Sequence, residues 1–333
     1  MDCSGNMGTA KHRDRSLDFM KGILIYLVIV GHVIAKYAEP GWAYTVIHTF
    51  HMPLFFFISG LLVVPSLRQT FKDFAIKKYQ RILRPALCWS LFFFLLKLPS
   101  HLDLGTKVIK SFMDIWFLYV LFYLFIVVFL IYRSKYRFWL FAGIVILGYL
   151  VYPYLLKIPS LHFGYIVEEF RIIREMPIFL MGILYGLFKN RMNTQTQSIV
   201  FAASVILYIG CFLYVLLLQH RPVKFLLAHD NYLVRALVYQ SGTILSFGLF
   251  KLIYKSLSGT WIAHAVEAVG QNTLGIYAMN GLLIFTVPGV LGIDYRFGLP
   301  LGIYALIITA VLYGITLILK RISITRIYLL GEK

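Results

Sequence analysis

The stretch DFMKGILIYLVIVGH, from Asp18 to His32, opens the first long apolar segment of the chain and sets two ionisable side chains inside it. Lys21 and His32 are eleven residues apart. At about 100° per residue this is three turns plus roughly 20°, so a helix puts both on one face with about 16 Å of rise between them. A charge or an unpaired imidazole in hydrocarbon costs on the order of 3 kcal/mol or more, which makes such residues functional-site candidates. The structural alternative has Lys21 snorkelling to the interface and His32 bonding a backbone carbonyl.

Composition fixes the class around this stretch. Of 333 residues, 60% are hydrophobic, 17% aromatic and only 14% charged, with a mean hydropathy of +0.78. A water-soluble chain of this length has no core large enough to hide so much Leu, Ile, Phe and Tyr, whereas a bilayer accepts them on the outside of every helix. The net charge of +18 does not signal nucleic acid, because the basic residues lie mostly at the ends of apolar segments, where they set topology. Cys3, Cys88 and Cys211 form neither a disulfide framework nor a metal-ligand spacing. The first sixteen residues are polar and basic, and no small-residue cleavage site follows the apolar run, which predicts an uncleaved first span.

The expected fold is an all-α polytopic membrane protein, one membrane domain over 1–333. Its ten helices fall at 22–37, 51–66, 84–99, 115–132, 138–156, 175–188, 197–218, 233–254, 272–292 and 300–319. Residues 1–16 and 321–333 are read as cytoplasmic tails. With both termini inside, 21 of the 32 Lys and Arg fall on the inner side, as the positive-inside rule requires. Arg171, Arg174 and Glu175 stand at the start of the sixth span, with Pro177 suited to its first turn. No repeat of 20 to 50 residues is evident.

In this orientation Lys21 lies at the cytoplasmic entrance of the first helix and His32 lies deeper, toward the outer face. A lysine there suits phosphates of a cytoplasmic donor, and a histidine suits general-base work on an acceptor. Asp18, three residues before Lys21, either orients that lysine or favours the helix start. The second span opens with His48 and His51, places Pro53 near its start, and runs through Phe55, Phe56 and Phe57 to Ser59 and Gly60. His51 is either a packing or hydrogen-bonding residue or a catalytic one, and the Ser-Gly pair lets a neighbouring helix approach closely. Beyond a connector rich in lysine, which anchors to anionic lipid, stand Arg81 and Arg84 before Pro85. Two guanidiniums one turn apart suit a bidentate grip on phosphate.

Taken in order, these elements resemble the acyltransferase family 3 integral membrane proteins, which move acyl groups, mostly acetyl, onto sugars and other acceptors. The resemblance covers nearly the whole chain. It rests on Lys21 to His32, on Phe55 to Gly60, and on Arg81, Arg84 and Pro85. Weaker echoes are Trp116-Phe117-Leu118, Pro177-Ile178-Phe179 with Gly182, and Gly270, Asn272, Leu274, Ile276 and Tyr277. Lysine at position 21, where many members carry arginine, is similar to the branch of fucose 4-O-acetylase-like and enterobacterial common antigen O-acetyltransferases. Relatives often show histidine where this chain has Asn280, so Asn280 is given no role. Within these 333 residues no segment is expected to correspond to the extracytoplasmic hydrolase-like domain that some relatives append.

The resemblance implies that acetyl-CoA binds from the cytoplasm with its phosphates near Lys21, Arg81 and Arg84, and that His32 meets the thioester. Either His32 deprotonates an acceptor hydroxyl that attacks directly, or the acyl group passes through an enzyme-bound form. The acceptor is a glycan or lipid-linked sugar at or across a bacterial inner membrane, with no resident cofactor, metal or nucleic acid. Trp116 and Tyr119 are read as sugar-stacking or interfacial belt residues. Glu168, Glu169, Arg171, Arg174 and Glu175 either shape an acceptor site or neutralise one another. Two competing functions are a transporter or flippase for a polysaccharide or lipid-linked sugar, and an O-succinyltransferase in which Lys36 meets the acyl carboxylate.

Overall fold

The computed structural model describes residues 13–39, 41–100, 103–150, 171–219, 232–286 and 299–332, and among them every regular element is a helix. Helix α1 (Arg15–Tyr37) starts where Asp14 caps it, its carboxylate accepting the Ser16 N–H at 3.1 Å and the Ser16 hydroxyl at 2.6 Å. Helix α2 (Trp42–Val63) tightens into a 3-10 turn over Val64–Arg68. Then come α3 (Phe71–Lys78), a π-helical turn over Tyr79–Leu83, and α4 (Arg84–Lys97). The amphipathic α5 (Leu104–Met113) precedes α6 (Trp116–Arg133) and α7 (Arg137–Leu150). Next are α8 (Arg171–Phe188), α9 (Thr194–Gln219) and α10 (Tyr232–Leu257). Helix α11 (Trp261–Gln271) breaks at Asn272 into α12 (Thr273–Gly281), which widens into a π turn over Leu282–Thr286. Helices α13 (Leu301–Arg321) and α14 (Ser323–Tyr328) close the described chain.

Among the described residues, six helices are able to cross a membrane by length and composition: Arg15–Tyr37, Trp42–Arg68, Trp116–Arg133, Thr194–Tyr214, Val234–Leu257 and Leu301–Arg321. Three shorter apolar helices join them at Arg137–Ile146, Glu175–Phe188 and Thr273–Phe285. Large apolar side chains face outward along these helices, among them Ile206, Leu252 and Leu306, as lipid requires and water does not. The chain is an all-α, multi-pass membrane protein. Helix α4 covers most of the expected third span but is too short to count among the helices able to cross a membrane. Residues 151–156 of the expected fifth span, 287–292 of the ninth, most of the N-terminal tail, and Glu168 and Glu169 lie outside the described residues.

The structure departs from the sequence reading in the second and ninth spans, among other places. Helix α2 begins at Trp42, nine residues earlier than expected, so Pro53 sits mid-helix rather than near its start. Proline donates no bond to the carbonyl four residues back, here that of Thr49, and Gly242 of α10 packs beside that oxygen. The ninth span is two segments, α11 and α12, because the chain leaves helical geometry at Asn272 (φ −114°, ψ 15°).

Glycines bring the central helices into backbone contact. A Cβ on Gly60 would lie 2.1 Å from the Phe179 carbonyl oxygen, and one on Gly182 would lie 2.0 Å from that of Phe57. Helices α2 and α8 thus touch at the Ser-Gly pair, as the sequence reading expects. Helices α1 and α11 meet in the same way, with Gly22 against the Val266 carbonyl and Gly270 against that of Asp18. Phe56, Phe93, Phe129 and Phe179 fill the interior between these contacts.

Candidate active site

His32 leaves α1 toward α12. Its Nδ1 lies 2.5 Å from Oδ1 of Asn280, and its ring meets Phe285 of the π turn edge-on, with centroids 5.7 Å apart. The amide nitrogen of Asn280 donates to the Tyr277 carbonyl, which fixes the amide with its oxygen toward the imidazole. An amide oxygen only accepts, so Nδ1 of His32 carries the hydrogen and Nε2 keeps its lone pair. Tyr277 is held in turn, its hydroxyl accepting the Phe117 N–H at 3.2 Å. Asn280 is therefore a direct hydrogen-bond partner of His32, a contact the sequence reading missed because it joins residues 248 apart.

Two further imidazoles lie nearby on α2. His48 donates from Nδ1 to the Tyr44 carbonyl at 2.8 Å, and His51 to that of Ile47 at 2.6 Å. In each ring Nε2 takes no part in that bond, and the two rings stand 4.8 Å apart. A Cβ on Gly31 would lie 3.1 Å from Cε1 of His48, so the glycine preceding His32 makes room for this ring. His51 is buried, whereas His32 and His48 keep part of their surface open.

At the other end of α1, Asp18 is only 3% exposed. It accepts the Lys21 ammonium at 2.7 Å and Nε of Arg13 at 2.5 Å. Because Asp14 caps the helix, Asp18 is the residue that orients Lys21. Glu267 of α11 is equally buried and accepts Nε of Arg15 at 2.8 Å and the Tyr254 hydroxyl at 3.1 Å. Nη2 of Arg15 also contacts Nδ1 of His264 at 2.6 Å. Buried carboxylates are tolerated when paired in this way. Nothing in the local sequence signals that Glu267, 252 residues from Arg15, joins this end.

The other candidates fall out differently. Arg81 is exposed on the π turn, whose wider winding fans residues three apart away from one another. Arg84 turns to the C-terminal segment, donating to the Ile327 carbonyl at 2.7 Å and lying over the Tyr328 ring. Ser59 is half-buried beside Gly60. Trp116 packs near Phe56, with centroids 6.3 Å apart, and the Tyr119 hydroxyl bonds that of Ser90 at 2.8 Å. Glu175 is buried in α8, and Lys36 is exposed in the last turn of α1. Among the described residues no group of three or more His, Cys, Asp or Glu side chains is placed to hold a metal. A cavity of about 960 Å³ opens beside the start of α1, lined by Asp14, Ser16, Phe57, Tyr185, Lys251 and Tyr254, and none of the sequence-predicted site residues lines it.

Comparison with known proteins completes the picture. The nodulation protein NolL of Mesorhizobium japonicum is 36% identical over 131 residues, which are 34% of this chain and 35% of that protein. The NolL of Sinorhizobium fredii is 32% identical over 125 residues, 32% and 34% of the two chains. The chain thus spans about a third of the length of the curated relatives it matches. No solved structure matches it. The family model described as an acyltransferase domain matches residues 14–320, from the cap of α1 to the end of α13. This multi-pass membrane protein belongs to acyltransferase family 3.

Proposed function

We propose that the chain moves an acetyl group from cytoplasmic acetyl-CoA to a hydroxyl of a glycan or lipid-linked sugar at or across a bacterial inner membrane, with both termini cytoplasmic. The observation that carries this reading is the bond between His32 and Asn280, on the helix whose far end holds the Lys21–Asp18 pair. Family membership supports acyl transfer, and the rhizobial relatives support a bacterial membrane.

In this mechanism Nε2 of His32 takes the proton of the acceptor hydroxyl as its oxygen attacks the thioester carbonyl, and the proton leaves with the CoA thiolate. Asn280 keeps the imidazole in the tautomer that can accept. Lys21, steered by Asp18, meets phosphate at the cytoplasmic end, and Arg81 and Arg84, which the π turn directs apart, act there as separate cations rather than as a bidentate pair. His48 and His51 line the acceptor side. General-base catalysis of this kind contributes roughly 10² to 10⁴ in rate.

The break at Asn272 is a feature that transporters also use, so a carrier for lipid-linked sugar is the second reading. Labelled acetyl-CoA separates the two when supplied to vesicles holding the wild type or His32→Ala at matched protein levels. Acyl transfer predicts label in a glycan or lipid fraction with the wild type and its loss in the variant. Equal labelling by both would remove His32 from the chemistry, and labelling by neither would favour the carrier or a succinyl donor.

A further inference from the structure

The C-terminal segment is folded back onto the start of α4. The Leu329 carbonyl accepts the Trp89 indole N–H at 3.0 Å, and that of Ile327 accepts Nη2 of Arg84. Gly331, with a φ of +66°, lays its backbone on that of Arg81, where a Cβ would come within 2.6 Å of the carbonyl oxygen. Leu330 is buried, and Glu332 pairs with Lys320 at 2.6 Å. Arg81, Arg84 and Trp89 on one side and Ile327, Leu329 and Gly331 on the other are thus anchored to each other, and Arg326 stands next to this crossing.

Both arginines are left incomplete. Nε of Arg84 and Nε of Arg326 are each shielded from solvent without a hydrogen-bond partner. Arg326 precedes the residue whose carbonyl Arg84 grips, and neither arginine has a carboxylate partner among the described residues. Shielded donors are rarely left unmet, and an absent ion is one of the standard reasons. Both side chains are half-buried, and an Nε–H sealed from water loses its hydration without a protein partner to replace it. The ligand that meets Nε and Nη edges together is a tetrahedral oxyanion.

We infer that Arg84 and Arg326 together bind a phosphate group, with the Ile327 carbonyl holding the place of one phosphate oxygen until it arrives. Arg326 thereby extends the cytoplasmic anion site from α4 to the C-terminal segment. Assigning that phosphate to the nucleotide of acetyl-CoA rests on the acyl-transfer reading above. The same chemistry is offered by the headgroup of an anionic phospholipid.

The test uses the full chain in nanodiscs and two probes. Adenosine 3′,5′-bisphosphate represents the nucleotide, and phosphatidylglycerol against phosphatidylcholine represents the headgroup. Arg326→Gln is expected to weaken binding of one probe by about tenfold or more, the usual loss for a charge-assisted bond, while Glu332→Gln leaves it unchanged. Loss confined to the bisphosphate names the nucleotide as the source, and loss confined to phosphatidylglycerol names the lipid. Equal affinity of wild type and Arg326→Gln for both probes overturns the site, as does a wild type that binds neither. Should Arg326→Gln fail to fold, Arg326→Lys and Arg84→Lys keep the charge and remove the Nε edge, and full affinity in both overturns it equally. Acetyl transfer by the wild type is measured alongside. Its absence counts against the acyl-transfer reading alone, because phosphate binding is read without turnover.

Discussion

Oδ1 of Asn280 stands 2.5 Å from Nδ1 of His32, and the same side chain spends its nitrogen on the Tyr277 carbonyl. This amide presents only an acceptor to the imidazole, so in the neutral ring it selects the tautomer with the hydrogen on Nδ1 and leaves Nε2 out of the bond, the atom that the proposed mechanism uses as base. Replacing Asn280 with Ala should lower acetyl transfer roughly tenfold, the worth of one oriented hydrogen bond, without changing donor affinity. Turnover of labelled acetyl-CoA against donor concentration reads the two separately, and an unchanged rate would remove Asn280 from the mechanism.

Asp18 holds two cations while almost wholly buried. Asp18→Asn leaves Lys21 and Arg13 beside each other with no counter-charge, a change that costs about 3 kcal/mol for a well-shielded pair and less where one partner is exposed, as Arg13 is. The melting temperature in detergent should fall, and the apparent affinity for acetyl-CoA should fall with it. A variant as stable and as tight as wild type would show that Lys21 needs no orienting partner.

The crossing of α2 and α8 tolerates no methyl group. Gly182→Ala places a carbon 2.0 Å from the Phe57 oxygen, so the backbones must part and the packing of Phe57 and Phe179 loosens, costing about 1 to 3 kcal/mol. Gly210→Ala of α9 meets nothing within 4 Å and should be neutral or stabilising by up to about 1 kcal/mol. Thermal unfolding of the two alanine variants side by side would expose any error in this contrast.

Lys78, in α3, rests its ammonium 3.7 Å from the centre of the Phe125 ring. Burial pushes its pKa down from the ordinary lysine value to about 8, and the neighbouring Arg81 charge pushes the same way. Between about pH 8 and the ordinary lysine value of 10.5 the unfolded chain holds more protons here than the folded one, so this residue makes stability rise with pH. Wild type should gain in melting temperature relative to Lys78→Met from pH 8 to pH 10. Parallel curves would mean that the ammonium is as well solvated in the fold as outside it.

Features with a helical period or a local steric cause were legible in the sequence. The Lys21–His32 spacing, the apolar runs and the Ser59–Gly60 contact belong to this group. Pro53 was misplaced because its helix starts earlier, over Trp42 to Phe50, where polar and apolar residues mix. The pairings that complete the site were not legible. His32 with Asn280, Arg15 with Glu267, and Arg84 with Ile327 each join segments more than 240 residues apart, and no spacing rule reaches across that separation. Arg81 and Arg84 read as a pair only while the helix between them is α, and the π turn at Tyr79–Leu83 removes that premise.

The interruption at Asn272 separates two grips on the same partner. Helix α11 clasps the beginning of α1 through Gly270 and Glu267, and α12 clasps its later part through Asn280. A straight helix would move both clasps as one rigid rod. With a break between them, the two clasps belong to separate helical segments, and in the proposed acyl transfer that break lies between the end of α1 assigned to the donor and the imidazole assigned to the base.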